Sequence, residues 1–237
     1  MKRKAFTLGL FIAFLLLIAL RVKDAFILNE INIEATGASL DFLGPQMDAL
    51  KTQLRTHLGS PVWRLPLHQL SGELSQNPLV KEFYIQRSWP DAVHVEITPK
   101  EIAGVLKKGP GFALVLDDGS LVENSSLFLP DTVVLVGKDF EDLSENRLKA
   151  LRLYRQLPLQ GLFSQERVSE IGLDSTKGFW VRIIAAPYII YMGEEGWGEK
   201  AHKVSQVMNY LRTSGIEARV IEANLTKKVV VKMRKDP

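Results

Sequence analysis

The residues best able to carry chemistry in this sequence are few and poorly spaced for it. Its four histidines are His57, His68, His94 and His202, and no two have the i, i+4 separation that sets a pair of imidazoles around a metal on one helix face. Cysteine is absent, which removes disulfides, thiolate metal sites and cysteine nucleophiles and suits a chain exposed to an oxidising compartment without depending on it. Asp117-Asp118 could be a carboxylate pair or a cation site. Adjacent strand residues point to opposite faces, however, and the following Gly119 makes the tetrad to Ser120 a turn. Ser125 or Ser126 with His94 or His202 can be written as a hydrolase triad, yet no nucleophile-elbow sequence fixes one against another. Gly193-Glu194-Glu195-Gly196-Trp197-Gly198 stands ahead of a helix, where backbone amides attract anions. Its two glutamates repel a phosphate and the Walker lysine-serine ending is missing, so it reads as a turn into a helix. The expectation is a chain with no catalytic residue, no cofactor, no metal and no small-molecule substrate.

The basic residues point no more strongly to nucleic acid. The net charge is +3 with 27 acids spread among 30 bases, which is no basic patch. Lys227, Lys228, Lys232, Arg234 and Lys235 read as a solvated strand edge and tail, since lysines on an edge also block unwanted pairing. Trp89 reads as a core or corner residue in preference to a docking anchor.

The elements that must position these residues begin with an apolar block. Ala5 to Leu20 is sixteen residues without a charge, eleven of them Leu, Ile or Phe, between Lys2-Arg3-Lys4 and Arg21 with Lys23. Those eleven favour the bilayer by roughly 5 kcal/mol, and the block covers about 24 Å of a ~30 Å core, so Lys4 and Arg21 would snorkel. A cleaved signal peptide shares the basic start and apolar middle, but Ile18 to Lys23 lacks an Ala-x-Ala-like site. An uncleaved anchor over 5–22 is expected, with a cytoplasmic tail at 1–4 and the bulk on the far side of the membrane.

Beyond it, Ile27 to Glu34 alternates as a strand, with Ile31 and Ile33 on one face. Two amphipathic helices follow. Met47, Leu50, Leu54 and Leu58 mark the first, from Pro45 to a stop at Gly59, and Leu67, Leu70 and Leu74 mark the second, ended by Asn77-Pro78. Strands at Val80 to Arg87 and Ala92 to Thr98 flank the turn Ser88 to Asp91, with Val93, Val95 and Ile97 on one face. This is a small α+β layer over 27–98. From 99 to 233 strands dominate: Phe112 to Leu116, Leu121 to Glu123, Thr132 to Val136, Val168 to Leu173, Phe179 to Ile184, Tyr188 to Met192, Ala218 to Glu222 and Lys228 to Lys232. Two helices interrupt, one striped by Ala150, Leu151, Tyr154 and Leu157, the other by Ala201, Val204, Met208 and Leu211 with Gly215 beyond it. A tail at 234–237 completes an α+β chain whose second part is mainly antiparallel β.

This order of parts resembles the bacterial FtsQ/DivIB division proteins: a short cytoplasmic start, one span, a polypeptide-transport-associated (POTRA) domain and a larger β domain. The matching residues are Ile31-x-Ile33-x-x-x-Gly37, Asn77-Pro78-Leu79-Val80, Arg87-Ser88-Trp89-Pro90 and Val93-x-Val95-x-Ile97, with Asp118-x-x-x-Val122 and Leu129-Pro130 further on. Two stretches depart from the family pattern. The proline of Pro99-Lys100-Glu101-Ile102-Ala103 is shifted, and Glu222-Ala223-Asn224-Leu225 stands where the family has Asp-Leu-Arg-Tyr.

The resemblance implies a non-enzymatic scaffold of the division septum, held in the inner membrane by one span with its bulk periplasmic. Its partners would be division proteins of the FtsB/FtsL type and other members of the division machinery, with no nucleic acid among them. Binding is expected by strand addition, in which an exposed edge offers backbone groups and alternate side chains select the partner. The expected edge is Val229, Val230, Val231, Lys232 and Met233, supported by Arg219, Ile221 and Glu222; Gly37, Pro78, Arg87, Trp89 and Pro90 mark the POTRA domain. Two other classes compete with the scaffold. A POTRA-bearing transport or outer-membrane assembly component would normally continue into a membrane β-barrel for which the remaining chain has no strand series, and a periplasmic cell-wall hydrolase would show activity on wall fragments.

Overall fold

A computed structural model describes residues 26–35, 40–123, 129–186, 188–225 and 228–233. The expected anchor at 5–22, Gly37, Ser125, Ser126, Lys227, Arg234, Lys235 and the tail lie outside the described residues. Among the described residues no helix is long and apolar enough to cross a membrane. The chain divides into two compact units, one ending at Glu101 and the other starting at Ile102.

The first unit runs β1 (Glu30–Ala35), α1 (Leu40–Arg55), α2 (Leu67–Gln76), β2 (Val80–Ser88) and β3 (Ala92–Pro99). β3 is central, parallel to β1 and antiparallel to β2. Its alternation buries Val93, Val95 and Ile97 on one face, against Leu50 and Leu54 of α1 and Leu70 and Leu74 of α2. Strand periodicity on one side and helical periodicity on the other thus close a single core. The first helix begins at Leu40 and takes in Pro45, where the sequence places Pro45 at its start. Gly59, at φ +81°, turns the chain after it. Asn77 ends α2 by accepting the Leu79 N–H on its side chain at 3.0 Å, a local bond that competes with another helical turn.

Among the described residues the second unit is one nine-stranded sheet in the order β12-β11-β10-β9-β8-β7-β4-β5-β6. Its strands are β4 (Ile102–Lys108), β5 (Gly111–Leu116), β6 (Leu121–Glu123), β7 (Val134–Val136), β8 (Val168–Asp174), β9 (Gly178–Ile183), β10 (Ile189–Gly193), β11 (Ala218–Glu222) and β12 (Val230–Met233). Helices α3 (Asp139–Asp142), α4 (Ser144–Gln156) and α5 (Trp197–Ser214) lie between them in sequence. Ala150, Leu151 and Leu153 of α4 and Ala201, Val204 and Met208 of α5 pack with Leu135, Ile171, Val181, Ile190 and Ile221 in one core.

The structure adds to the sequence reading and corrects it. β4, over Ile102–Lys108, is a strand the sequence does not announce; Ile102 to Leu106 run half-buried to buried without alternation, so the period that betrays a strand is absent. The short α3 adds a third helix to the two expected. The sheet is mainly antiparallel, as expected, and takes in three parallel pairs, β4–β7, β7–β8 and β10–β11. The last strand also begins later than Lys228, at Val230, and extends to Met233.

Candidate functional site

The position of the last described strand in the sheet sets what it can do. β12 pairs antiparallel with β11 through Glu222↔Val230, Ile221↔Val231, Val220↔Lys232 and Ala218↔Met233, with an irregularity between the last two pairs. Among the described residues no strand lies on its other side. The outward N–H and C=O groups of a strand in that position are open to a further strand.

Side chains alternate across this corner as the pleat requires. Val229 and Val231 pack toward the core beside the fully buried Ile221. Val230 and Lys232 share the opposite face with Val220 and Glu222, while Met233, at the end, is 65% exposed. Arg219 on β11 is exposed. The expected edge and its supporting strand therefore come together, with Val229 just outside the strand proper.

One charged cluster ties this edge to the sheet. The Glu222 carboxylate accepts from Lys232 Nζ at 2.9 Å and from Lys177 Nζ at 2.9 Å. Lys177 in turn lies 4.4 Å from the centroid of the Tyr191 ring, an attraction of cation and ring quadrupole. Hydrogen bonds from Lys232 first and Lys177 second hold the Glu222 carboxyl below the usual glutamate range. The same bond to Glu222 raises the Lys177 ammonium. Sequence reading named Glu222 and Lys232 but not Lys177 or Tyr191, which reach them only through the register Tyr191↔Glu222 and Tyr191↔Trp180.

The same register builds an open face across five strands, Gly172, Trp180, Tyr191, Glu222 and Val230. Trp180 lies so close over Gly172 that a Cβ there would sit 2.1 Å from the ring. Arg182 flanks it, 5.6 Å from the Trp180 ring and 2.6 Å from Glu170.

In the first unit the expected motif residues serve structure. Arg87 donates from Nε to the Val62 carbonyl at 2.9 Å and from Nη2 to those of Leu65 at 2.9 Å and Trp63 at 3.4 Å. It thereby satisfies carbonyls of the short 3₁₀ turn Val62–Arg64. Trp89 is 57% exposed and so is a corner residue and not a core one. Pro90 sits in the turn beside it, while Pro78 follows the end of α2 elsewhere in the unit.

The chemical candidates stay apart or act as scaffolding. Asp118 Oδ1 accepts the Ser120 N–H at 2.9 Å, and Gly119, at φ +77°, tucks beneath Leu148. Arg147, buried on α4, donates to the carbonyls of Gly119 at 2.7 Å and Glu141 at 3.1 Å. In the glycine-rich turn, Trp197 donates to the Gly193 carbonyl at 3.0 Å and Lys200 to those of Met192 at 3.0 Å and Glu195 at 2.7 Å. Carbonyls in and beside the turn are thus engaged by the protein's own donors. His94 lies on β3, and His202 is exposed on α5 beside Gln206. Among the described residues no three His, Asp or Glu gather as a metal site. A depression of about 380 Å³ in the second unit is lined by Tyr188, Met208, Leu211, Arg167 and Arg212 among others and offers no carboxylate or imidazole.

Comparison with known proteins adds the following. A family model described as a POTRA domain of the FtsQ type matches residues 46–98. The cell division protein FtsQ of Syntrophotalea carbinolica (strain DSM 2380 / NBRC 103641 / GraBd1) is 24% identical over 187 residues, covering 74% of this chain and 64% of the relative. The cell division protein FtsQ of Geobacter sp. (strain M21) is 26% identical over 189 residues, covering 73% of this chain and 66% of the relative. The chain therefore spans just under two thirds of the length of these relatives.

Proposed function

The chain belongs to the FtsQ/DivIB family of cell division proteins, and from that premise we propose that it is a non-catalytic scaffold of the division septum. It takes up another polypeptide by strand addition at β12. The observation that carries this reading is the position of Val230–Met233 at the end of the sheet order, with its lateral backbone groups open among the described residues. The wider assignment is that of an inner-membrane protein with one span at 5–22, its amino terminus cytoplasmic and both units periplasmic. Its partner at β12 is a division protein of the FtsB/FtsL type, and the sheet edge of the first unit contacts further division proteins.

Magnitudes say what else the docking surface needs. A strand directs the backbone groups of alternate residues outward, so the four residues of β12 offer two of them. These make about four bonds at roughly 1 kcal/mol net each. About 4 kcal/mol is millimolar binding at best, and association has its own entropic cost of comparable or larger size. Side chains must supply the rest, and the exposed Met233 and half-buried Val230 are the apolar groups placed to do so. Lys232, salted to Glu222, fixes the edge without contributing much apolar contact.

The test is co-purification of the full chain with the periplasmic part of its FtsB-type partner. Deleting Val229 to Pro237 is expected to abolish capture while the first unit keeps its fold. Capture undiminished by that deletion refutes the assignment of the edge.

A further inference from the structure

The first unit gathers its tryptophans at one corner. Trp63 and Trp89 are 48% and 57% exposed. Both flank Phe26, whose centroid is 6.1 Å from Trp63 at 59° and 5.6 Å from Trp89 at 73°. The support beneath these rings is rigid. Phe26 accepts the Val62 N–H on its carbonyl at 2.9 Å, Leu28 donates to the Ser60 carbonyl at 2.9 Å, and Gly59 donates to Leu28 at 3.0 Å. Arg87 holds the turn that carries Trp63 from the other side. Three aromatic rings are therefore mounted on a braced turn with their faces left partly bare. Leaving two indoles half open to water forfeits on the order of 1 kcal/mol apiece relative to covering them.

What covers them follows from the chain that leads to Phe26. The uncharged block ends at Leu20, and Arg21 to Ala25 are all that separates it from Phe26. The six steps of chain from Leu20 to Phe26, fully extended, reach about 20 Å. If that block ends at a bilayer surface, the aromatic corner can stand no further than that from it. Headgroups occupy roughly 5–7 Å of the distance on each side of the hydrocarbon. Indole rings favour this layer because one end is apolar and the N–H finds polar partners. Charge agrees with the placement: the connecting chain carries Arg21 and Lys23 against the single acid Asp24, and Arg64 is exposed next to Trp63. Asp91, near Trp89, accepts from the Asn29 side chain at 3.3 Å. Basic residues beside aromatic ones match a layer of anionic phosphates.

We propose that Phe26, Trp63 and Trp89 form an interfacial foot that seats the first unit on the headgroup layer of the membrane. The foot rests on the reading of residues 5–22 as a span. It sets the pose of the first unit relative to the bilayer, which a tether at one point leaves free.

The test uses the full chain in vesicles of phosphatidylcholine and phosphatidylglycerol, with or without bromine near the headgroup end of the acyl chains. The four tryptophans are Trp63, Trp89, Trp180 and Trp197, and quenching by brominated lipid is expected from the first two. The Trp63→Ser/Trp89→Ser variant is expected to lose that quenching while it still floats with the vesicles. As a second variant that leaves the rings in place, Arg64→Cys carries an environment-sensitive dye, selective because the chain has no other cysteine. Its emission is expected to shift to the blue in vesicles, and a dye at Tyr84→Cys on β2 serves as the reference. Flotation without quenching and without the dye shift overturns the foot and leaves the span intact, assigning the corner to solvent or to a protein partner. Failure of the parent chain to float overturns both. Loss of flotation in the double tryptophan variant alone supports the foot and overturns the span.

Discussion

The two sheets of this chain end in unlike strands. In the first unit β2 is matched to β3 at eight positions, carries Lys81 and Glu82 at exposed sites, and is braced by Arg87 across to the turn at 62–65. In the second unit β12 is matched to β11 at four positions, each of the two pairings holding one irregularity, and is mostly apolar, Val-Val-Lys-Met. Charge on an edge guards it against chance pairing. A mostly apolar edge is left able to pair, and that is the property a strand-addition site requires. Stability and availability are thus divided between the units.

The sharpest way to break this contrast is to place a proline in each sheet. Val95 on β3 has strands on both sides, opposite Ile33 and Ile85, so its N–H is committed either way. Val95→Pro is expected to cost about 3 kcal/mol or more and unfold the first unit, read as loss of its tryptophan signal in urea. Val231→Pro, by contrast, is expected to leave the main denaturation transition of the second unit nearly in place and to reduce partner capture about tenfold. A collapse of the whole second unit in that variant would show β12 to be as integral as β3.

Smaller changes sharpen the comparison. Gly172→Val drives a side chain into the Trp180 ring and is expected to cost about 2–3 kcal/mol by overpacking, measured by urea denaturation. Arg87→Ala removes three bonds to carbonyls and is expected to lower the stability of the first unit by about 2 kcal/mol, without changing capture at β12. The smallest effect is expected at Glu222→Gln. Because the Glu222 carboxyl is held low in the folded chain by Lys232 and Lys177, its contribution is present above the unfolded glutamate value and fades as pH falls through the lower folded one. Protection of the β12 amides, taken relative to their intrinsic exchange rate at each pH, should therefore fall modestly on acidification below the usual glutamate range. In Glu222→Gln the exchange should be faster at neutral pH and lose that acid dependence.

These outcomes also show which parts of the molecule are readable from its residues. Val93, Val95 and Ile97 announce a half-buried strand because water on one face and core on the other impose a period of two. The stripe Ala201, Val204, Met208, Leu211 declares α5 in the same way. β4 is silent because it is half-buried to buried along most of its length, and Gly104 within it looks like a breaker. There a Cβ would meet the Val133 carbonyl at 3.3 Å, so the glycine marks close approach of a neighbour and not a turn. Parallel pairings are equally silent, since no hairpin dictates their register. The candidate site shares both conditions. Val-Val-Val is plainly β-forming, but Lys177 meets Glu222 across 45 positions of sequence, and only the assembled sheet brings them together. The aromatic corner is hidden for the same reason, because Phe26, Trp63 and Trp89 belong to three separate segments.

The measurement that bears most directly on the proposed function is hydrogen–deuterium exchange on the full chain in nanodiscs, with and without the periplasmic part of an FtsB-type partner. Slowed exchange at amides within Val230–Met233, in the alternating pattern that one newly paired strand edge produces, is the predicted result. Saturated binding that leaves those amides unchanged and protects another surface would contradict the account.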